Sequence, residues 1–321
     1  MISRRLLRIK ALMALYAYNR REDNDLVKAE KELMFSIAKT YDLYHYLLLL
    51  VLEIADIASD RIERALQKNI PTFEDLNPNR RFIDNVVIAQ LRNNKALTKY
   101  LNDSKLSWIN FSHIPRILYT KLISCDYYLE YMSSEYHNYQ SDKKIVHKII
   151  VELLPASEDL VNCLEEHSIY WNDDLDYVII MLEKTLKKFK PDTKEDAGLM
   201  PLFKNREDED FVKQLFRKAV LNSASYSEFI DNNTTNWEVE RIALMDILVM
   251  QLAIAEILEF PEIPVKVTLN EYIEIAKYYC TSKSSTFVNG ILDNIVKEIR
   301  ARKLFNKYGR GLVGEAPDDN E

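Results

Sequence analysis

Along most of the chain, apolar residues recur every three or four positions, the spacing that lines one face of a helix. The stretches "RILYTKLISCDYYLEYM", "KKIVHKIIVELL" and "LDYVIIMLEKTLKKF" each carry such a stripe beside a polar face and predict amphipathic helices. The stretch "ERIALMDILVMQLAIAEILEF", Glu240 to Phe260, is apolar on nearly every side and predicts the buried central helix of a bundle. Its few polar positions, Asp246, Gln251 and Glu256, must each meet a partner, a helix end or solvent, and Glu256 reads as a hydrogen-bonded structural acid.

A second pattern is less regular. In "SSTFVNGILDNIV", residues 284–296, Val288, Ile291, Leu292 and Ile295 form one stripe that Ile299 continues, while Phe287 lies roughly 100° away from it. Gly290 falls inside the same helix, where glycine costs about 1 kcal/mol relative to alanine. Close approach by a neighbouring helix is the simplest offset. Ser284 or Ser285 is placed to cap the helix start.

The pattern breaks at "NIPTFEDLNPNRR", around Pro71 and Pro78, and over the longer polar stretch from Phe189 to Asp210. A short first helix, "RIKALMALYAYN", precedes these breaks. Leu12, Leu15 and Tyr16 have no adequate partner nearby, so this helix is expected to return across the intervening chain and pack with residues 236–300.

Composition narrows the fold class. The 321 residues are 47% apolar, enough for a core, and none of the five glycines occurs before Gly198. Sheet proteins need turn glycines, so an all-α fold is expected. Cys125, Cys163 and Cys280 form neither a disulfide framework nor a metal knuckle, which fits a reducing, cytoplasmic setting. The N-terminus has a basic start and an apolar run but no small-x-small cleavage site, and reads as a mature helix. "YLLLLVLEIADIA" is interrupted by Glu53 and Asp56 and falls short of the roughly 18 apolar residues that span a bilayer, so no membrane segment is expected.

No catalytic constellation emerges. Gly309, Gly311 and Gly314 spell G-x-G-x-x-G, but after a helix rather than a strand, which removes its meaning as a dinucleotide fingerprint. The five histidines include no pair at metal-binding spacing, and no nucleophile elbow or phosphate loop is present. The chain is therefore read as a non-enzyme without metal or cofactor. The net charge of −7 argues against a protein coated in nucleic acid, yet Arg4, Arg5, Arg8, Lys10, Arg20 and Arg21 precede the first acid. On a helix Arg4, Arg5 and Arg8 share an arc of about 100° that Leu12, Leu15 and Tyr16 continue. Arginines at a helix N-terminus oppose the macrodipole unless an anion meets them, and an RNA phosphate backbone would be such an anion.

These residues carry a resemblance. "RIKALMALYAYN" with Ala14 to Tyr16, the P-x-K-V at Pro264 to Val267, Asn270 with Glu271, and the F-V-N-G at Phe287 to Gly290 are similar to the NusB family of transcription antitermination factors. The resemblance implies an all-helical, RNA-binding factor that grips boxA-type RNA of nascent ribosomal RNA. It acts together with the ribosomal protein NusE and, through that complex, on the transcribing RNA polymerase. It assigns RNA contact to Arg4, Arg5 and Arg8 on the first helix and to Phe287, and a NusE contact to Asp246; Lys10, beside the arginines, and Lys283, just before Phe287, are expected to add RNA contacts. It further implies a bundle of residues 1–24 and 206–308, an inserted helical region at 25–205 without a family role, and a disordered tail at 309–321.

Two departures stand out. Lys283 replaces an acid common in the family, and Gln251 replaces an arginine, which leaves the RNA sequence preferred open. The oligomeric state, a homodimer included, stays open as well. The alternative reading is a helical protein-interaction module that kept the fold and lost RNA binding.

Overall fold

The computed structural model describes residues 1–234 and 242–313, and among them every regular element is helical. Helix α1 (Arg4–Asn19) and the long α2 (Leu26–Leu66) are followed by α3 (Phe73–Leu76), α4 (Val86–Arg92) and α5 (Lys95–Ser104). Next come α6 (His113–Leu122), α7 (Asp126–Ser133), α8 (Tyr139–Lys148), α9 (Glu158–His167) and α10 (Leu175–Lys188). The chain ends in α11 (Arg206–Leu221), α12 (Ser223–Asn232), α13 (Leu244–Glu259), α14 (Val265–Tyr279) and α15 (Ser284–Ala301). No helix among the described residues is long and apolar enough to cross a membrane.

The chain forms two compact units. Met1–Ile2 and Ser36–Leu202 make the first; Ser3–Phe35 and the chain from Phe203 onward make the second, so the border falls inside α2.

The first unit is built on α2. Its run Leu47, Leu48, Leu50, Val51 and Ile54 is buried, as an apolar stretch within a packed helix should be. Aromatic packing adds to this core: Tyr46 stacks on Trp108 at 3.9 Å between ring centroids, and His167 stacks on Trp171 at 4.7 Å. Both indole N–H groups are satisfied, Trp108 donating to Tyr46 O at 3.1 Å and Trp171 to Lys39 O at 2.7 Å.

In the second unit α13 is the central helix. Leu248, Val249, Met250, Leu252, Ala253, Ile254, Ala255 and Ile257 are all buried, whichever side of the helix they occupy. Helices α11, α12, α14 and α15 surround it, and α1 packs on α11 and α13, burying Leu12 and Leu15. Residues 235–241, part of the stretch expected to receive α1 and to open the central helix, lie outside the described residues. The local signals are polar caps: the Ser3 hydroxyl accepts from Leu6 N at 3.2 Å at the start of α1, and Asn205 Oδ1 accepts from Asp208 N at 3.2 Å at the start of α11.

Three expectations need correction. Gly290 does not mediate a close helix approach, because a Cβ placed there would meet nothing within 4 Å. Neither Ser284 nor Ser285 caps α15 through its side chain; Lys283 occupies the cap position, and the Ser284 hydroxyl instead donates to Asp246 Oδ2 at 2.8 Å. The first part of the tail is ordered: Gly309–Leu312 forms a 3₁₀ turn with Gly311 buried, while residues 314–321 lie outside the described residues.

Candidate nucleic-acid interface

The N-terminal turn of α1 places three arginines on one side, and each meets a carboxylate from a distant part of the second unit. Arg4 Nε donates to Asp208 Oδ1 at 2.9 Å, and Arg5 donates from Nε and Nη2 to Glu271 at 2.9 and 2.8 Å. Arg8 is the most enclosed: it is 3% exposed and donates from Nε and Nη2 to the two oxygens of Glu256, both at 2.7 Å. Thr268 Oγ1 and Tyr272 OH donate to the same carboxylate at 2.8 and 3.2 Å, so Glu256 is the acceptor of a four-residue buried network. The Phe211 ring lies 4.9 Å from the Arg4 guanidinium carbon and 5.4 Å from that of Arg8.

The anion that these arginines need at a helix N-terminus is thus supplied by the protein. Arg8 and Lys10 are buried and do not present an open surface to a phosphate, whereas Arg4 and Arg5 keep 34% and 42% of their side-chain surface exposed. The electrostatics follow the pairing. The hydrogen bonds from Arg5, assisted by the charge of Arg8, hold the Glu271 carboxyl below its ordinary value against the effect of burial. Burial and then the neighbouring Glu256 raise the Tyr272 phenol well above its own.

Arg4, Arg5 and Arg8 also line a cleft of about 570 Å³, together with Glu262, Ile263, Pro264, Val267 and Glu271 from the start of α14 and the turn before it. Arg310 and Val313, from the turn after α15, complete its rim.

A second cluster of the expected residues lies on α15. Lys283, Phe287 and Gly290 follow one another at spacings of four and three, which puts them on one helical face, away from the buried stripe of Val288, Ile291, Leu292, Ile295 and Ile299. Lys283 and Gly290 are exposed and Phe287 is part-buried. Asp246 is turned inward: it is 6% exposed, accepts from Ser284, and its other oxygen has no hydrogen-bond partner among the described residues. Burial, with the neighbouring Asp246 carboxylate adding to it, raises the Cys280 thiol above its ordinary value. Gln251 is buried and ties α13 to α12 by donating to Ser227 Oγ at 3.0 Å and Ser223 O at 3.4 Å. Among the residues of these two clusters that the sequence pattern did not single out are Asp208, Thr268, Tyr272, Glu271 as the partner of Arg5, and Arg310.

The sequence profile of the NusB family matches residues 177–297, which contain α11 to α14 and most of α15. The transcription antitermination protein NusB of Salinibacter ruber is 41% identical over 115 residues, 36% of this chain and 72% of that protein. The chain belongs to the NusB family. The NusB protein of Chloroherpeton thalassium is 43% identical over 104 residues, 32% of this chain and 49% of that protein. That of Listeria innocua is 39% identical over 92 residues, 29% of this chain and 72% of that protein. No solved structure matches the chain. Helix α1 and the turn after α15 lie outside the stretch that the family profile covers.

Proposed function

We propose that this NusB-family chain is a non-enzymatic RNA-binding factor of transcription antitermination. It holds boxA-type RNA, together with NusE, against the transcribing polymerase. The observation that carries this reading is the face of α15 on which Lys283, Phe287 and Gly290 align. A lysine offers a phosphate contact and an aromatic ring offers a stacking surface. The open Cβ position of Gly290 leaves bare backbone beside them, so a nucleotide can approach the helix closely.

In this reading Arg4 meets phosphate from the cleft, and Arg5, held by Glu271, forms the wall beside it. Arg8 acts behind them, fixing α1 to α13 through Glu256. Asp246 acts through Ser284, holding the start of α15 in place, and the first turn of α13 is the edge offered to NusE. A titration of labelled boxA-type RNA, with and without NusE and at two salt concentrations, tests the proposal. Salt-dependent binding that NusE tightens is expected.

The reading as an interaction module without RNA binding is favoured by one observation, the pairing of all three α1 arginines with carboxylates. Absence of RNA binding in the same titration would select it.

A further inference from the structure

The chain does not run free after α15. It reverses at Lys303, whose φ of 52° is left-handed, and Leu304 N donates to Ile299 O at 3.1 Å. Lys307 Nζ then donates to Ile257 O at 2.9 Å and Phe260 O at 3.0 Å, two carbonyls at the end of α13. Tyr308 N donates to Pro261 O at 3.3 Å. Gly311 is packed so closely on that proline that a Cβ would lie 2.0 Å from its carbonyl oxygen, a contact only glycine avoids. These pins set Arg310, in the middle of the turn, on the rim of the cleft that holds Arg4 and Arg5.

Arg310 is exposed and has neither an ion pair nor a side-chain hydrogen bond among the described residues. Its neighbours in the cleft are in a different state. Glu271 occupies Arg5 in bidentate fashion and Glu256 occupies Arg8, while Arg4, among the described residues, hydrogen-bonds only through Nε, to Asp208. The guanidinium donors still available to a ligand are therefore those of Arg310 and the outer edge of Arg4. Glu262, exposed on the same rim, is the opposing charge.

We infer that the turn Lys307–Val313 converts the cleft into a phosphate site for the RNA strand, with Arg310 as its principal contact. A planar fork of unpaired donors suits a phosphodiester, and the apolar wall of Ile263, Pro264 and Val267 suits the attached sugar or base. The inference rests on the RNA-binding reading above and extends it to a segment that the family profile does not reach.

The test is a series of RNA titrations across salt with the full chain. Loss of one single-strand phosphate contact lowers the slope of log affinity against log salt by about 0.7. Arg310→Ala should show that loss and bind several-fold more weakly at low salt, with an unchanged melting temperature because the side chain is exposed and unpaired. Arg310→Lys should keep the slope, Glu262→Gln should bind more tightly, and Gly311→Ala, which retains the arginine but not the turn, should lose the same part of the slope as Arg310→Ala. An unchanged slope in Arg310→Ala, when the wild type binds RNA, overturns this inference alone. A wild type that binds no RNA overturns it together with the reading on which it rests.

Discussion

Arg8 and Glu256 face each other with two parallel hydrogen bonds of 2.7 Å inside the second unit, 248 positions apart in the sequence. The pair joins the first helix to the central one at a depth where Glu256 is fully buried. Removing one partner of such a pair leaves an uncompensated buried charge and costs about 3–5 kcal/mol, whereas replacing both by apolar residues of similar volume is often neutral. Glu256→Leu should therefore lower the denaturant midpoint sharply, and Arg8→Met with Glu256→Leu should recover a large part of the loss. Strictly additive single-variant losses would contradict the pair as the unit of stability.

Arg5 and Glu271 give a weaker, pH-dependent contribution. The folded Glu271 carboxyl is held below its ordinary value, so its stabilisation is full above the unfolded value of about 4.3 and is lost as pH falls through the folded value. Arg5→Ala should flatten this acid limb of a melting-temperature profile. The effect is well under about 1 kcal/mol, because the arginine is partly exposed to solvent that screens it.

His45 gives the first unit its own pH response. Its ring stacks on Tyr100 with centroids 3.7 Å apart, Nδ1 lies 2.9 Å from Tyr41 O, and burial lowers its pKa to about 4. A histidine held neutral in the fold stabilises fully above its unfolded value of about 6.5 and loses that stabilisation as pH falls towards the folded value. The first unit should thus lose stability on the order of 3 kcal/mol between about pH 6.5 and 4. A non-titrating replacement such as His45→Gln should remove the slope. In a Trp237→Phe background, unfolding followed by tryptophan fluorescence reads this unit through buried Trp108 and Trp171, which both belong to it.

Gly290 separates stability from function. With open space where a Cβ would point, Gly290→Ala should raise stability by about 0.5–1 kcal/mol, as expected for an exposed helix interior. A larger side chain, as in Gly290→Gln, should keep the fold and weaken RNA binding by covering the bare backbone. Equal RNA affinity for the wild type and Gly290→Gln would count against close approach at this position.

What the sequence makes legible here is what repeats or what is out of place. The nearly all-round apolar surface of α13 requires burial on all sides, and the fully buried acid inside it, Glu256, requires a hydrogen-bond partner. The identity of that partner is not legible, because Arg8 comes from a helix separated from α13 by most of the chain. An arginine-rich helix start therefore looks open when Asp208, Glu256 and Glu271 already meet it. Gly290 shows the opposite limit: its position in a helix can be read from spacing, but whether a neighbour lies across from it depends on packing. The turn at Gly309–Leu312 resembles a flexible tail in composition, and what orders it, the carbonyls of Ile257, Phe260 and Pro261, leaves no trace in side-chain pattern.

The most direct test of the α15 face as an RNA interface is a titration of boxA-type RNA with the wild type and Phe287→Leu. Leucine keeps apolar volume in the part-buried site and removes the aromatic ring, so folding should be disturbed little. Stacking of one base on an aromatic ring is worth about 1–3 kcal/mol, so affinity should fall between about 5- and 150-fold with the melting temperature nearly unchanged. Wild-type affinity in Phe287→Leu would contradict the stacking role and with it the central claim for this face.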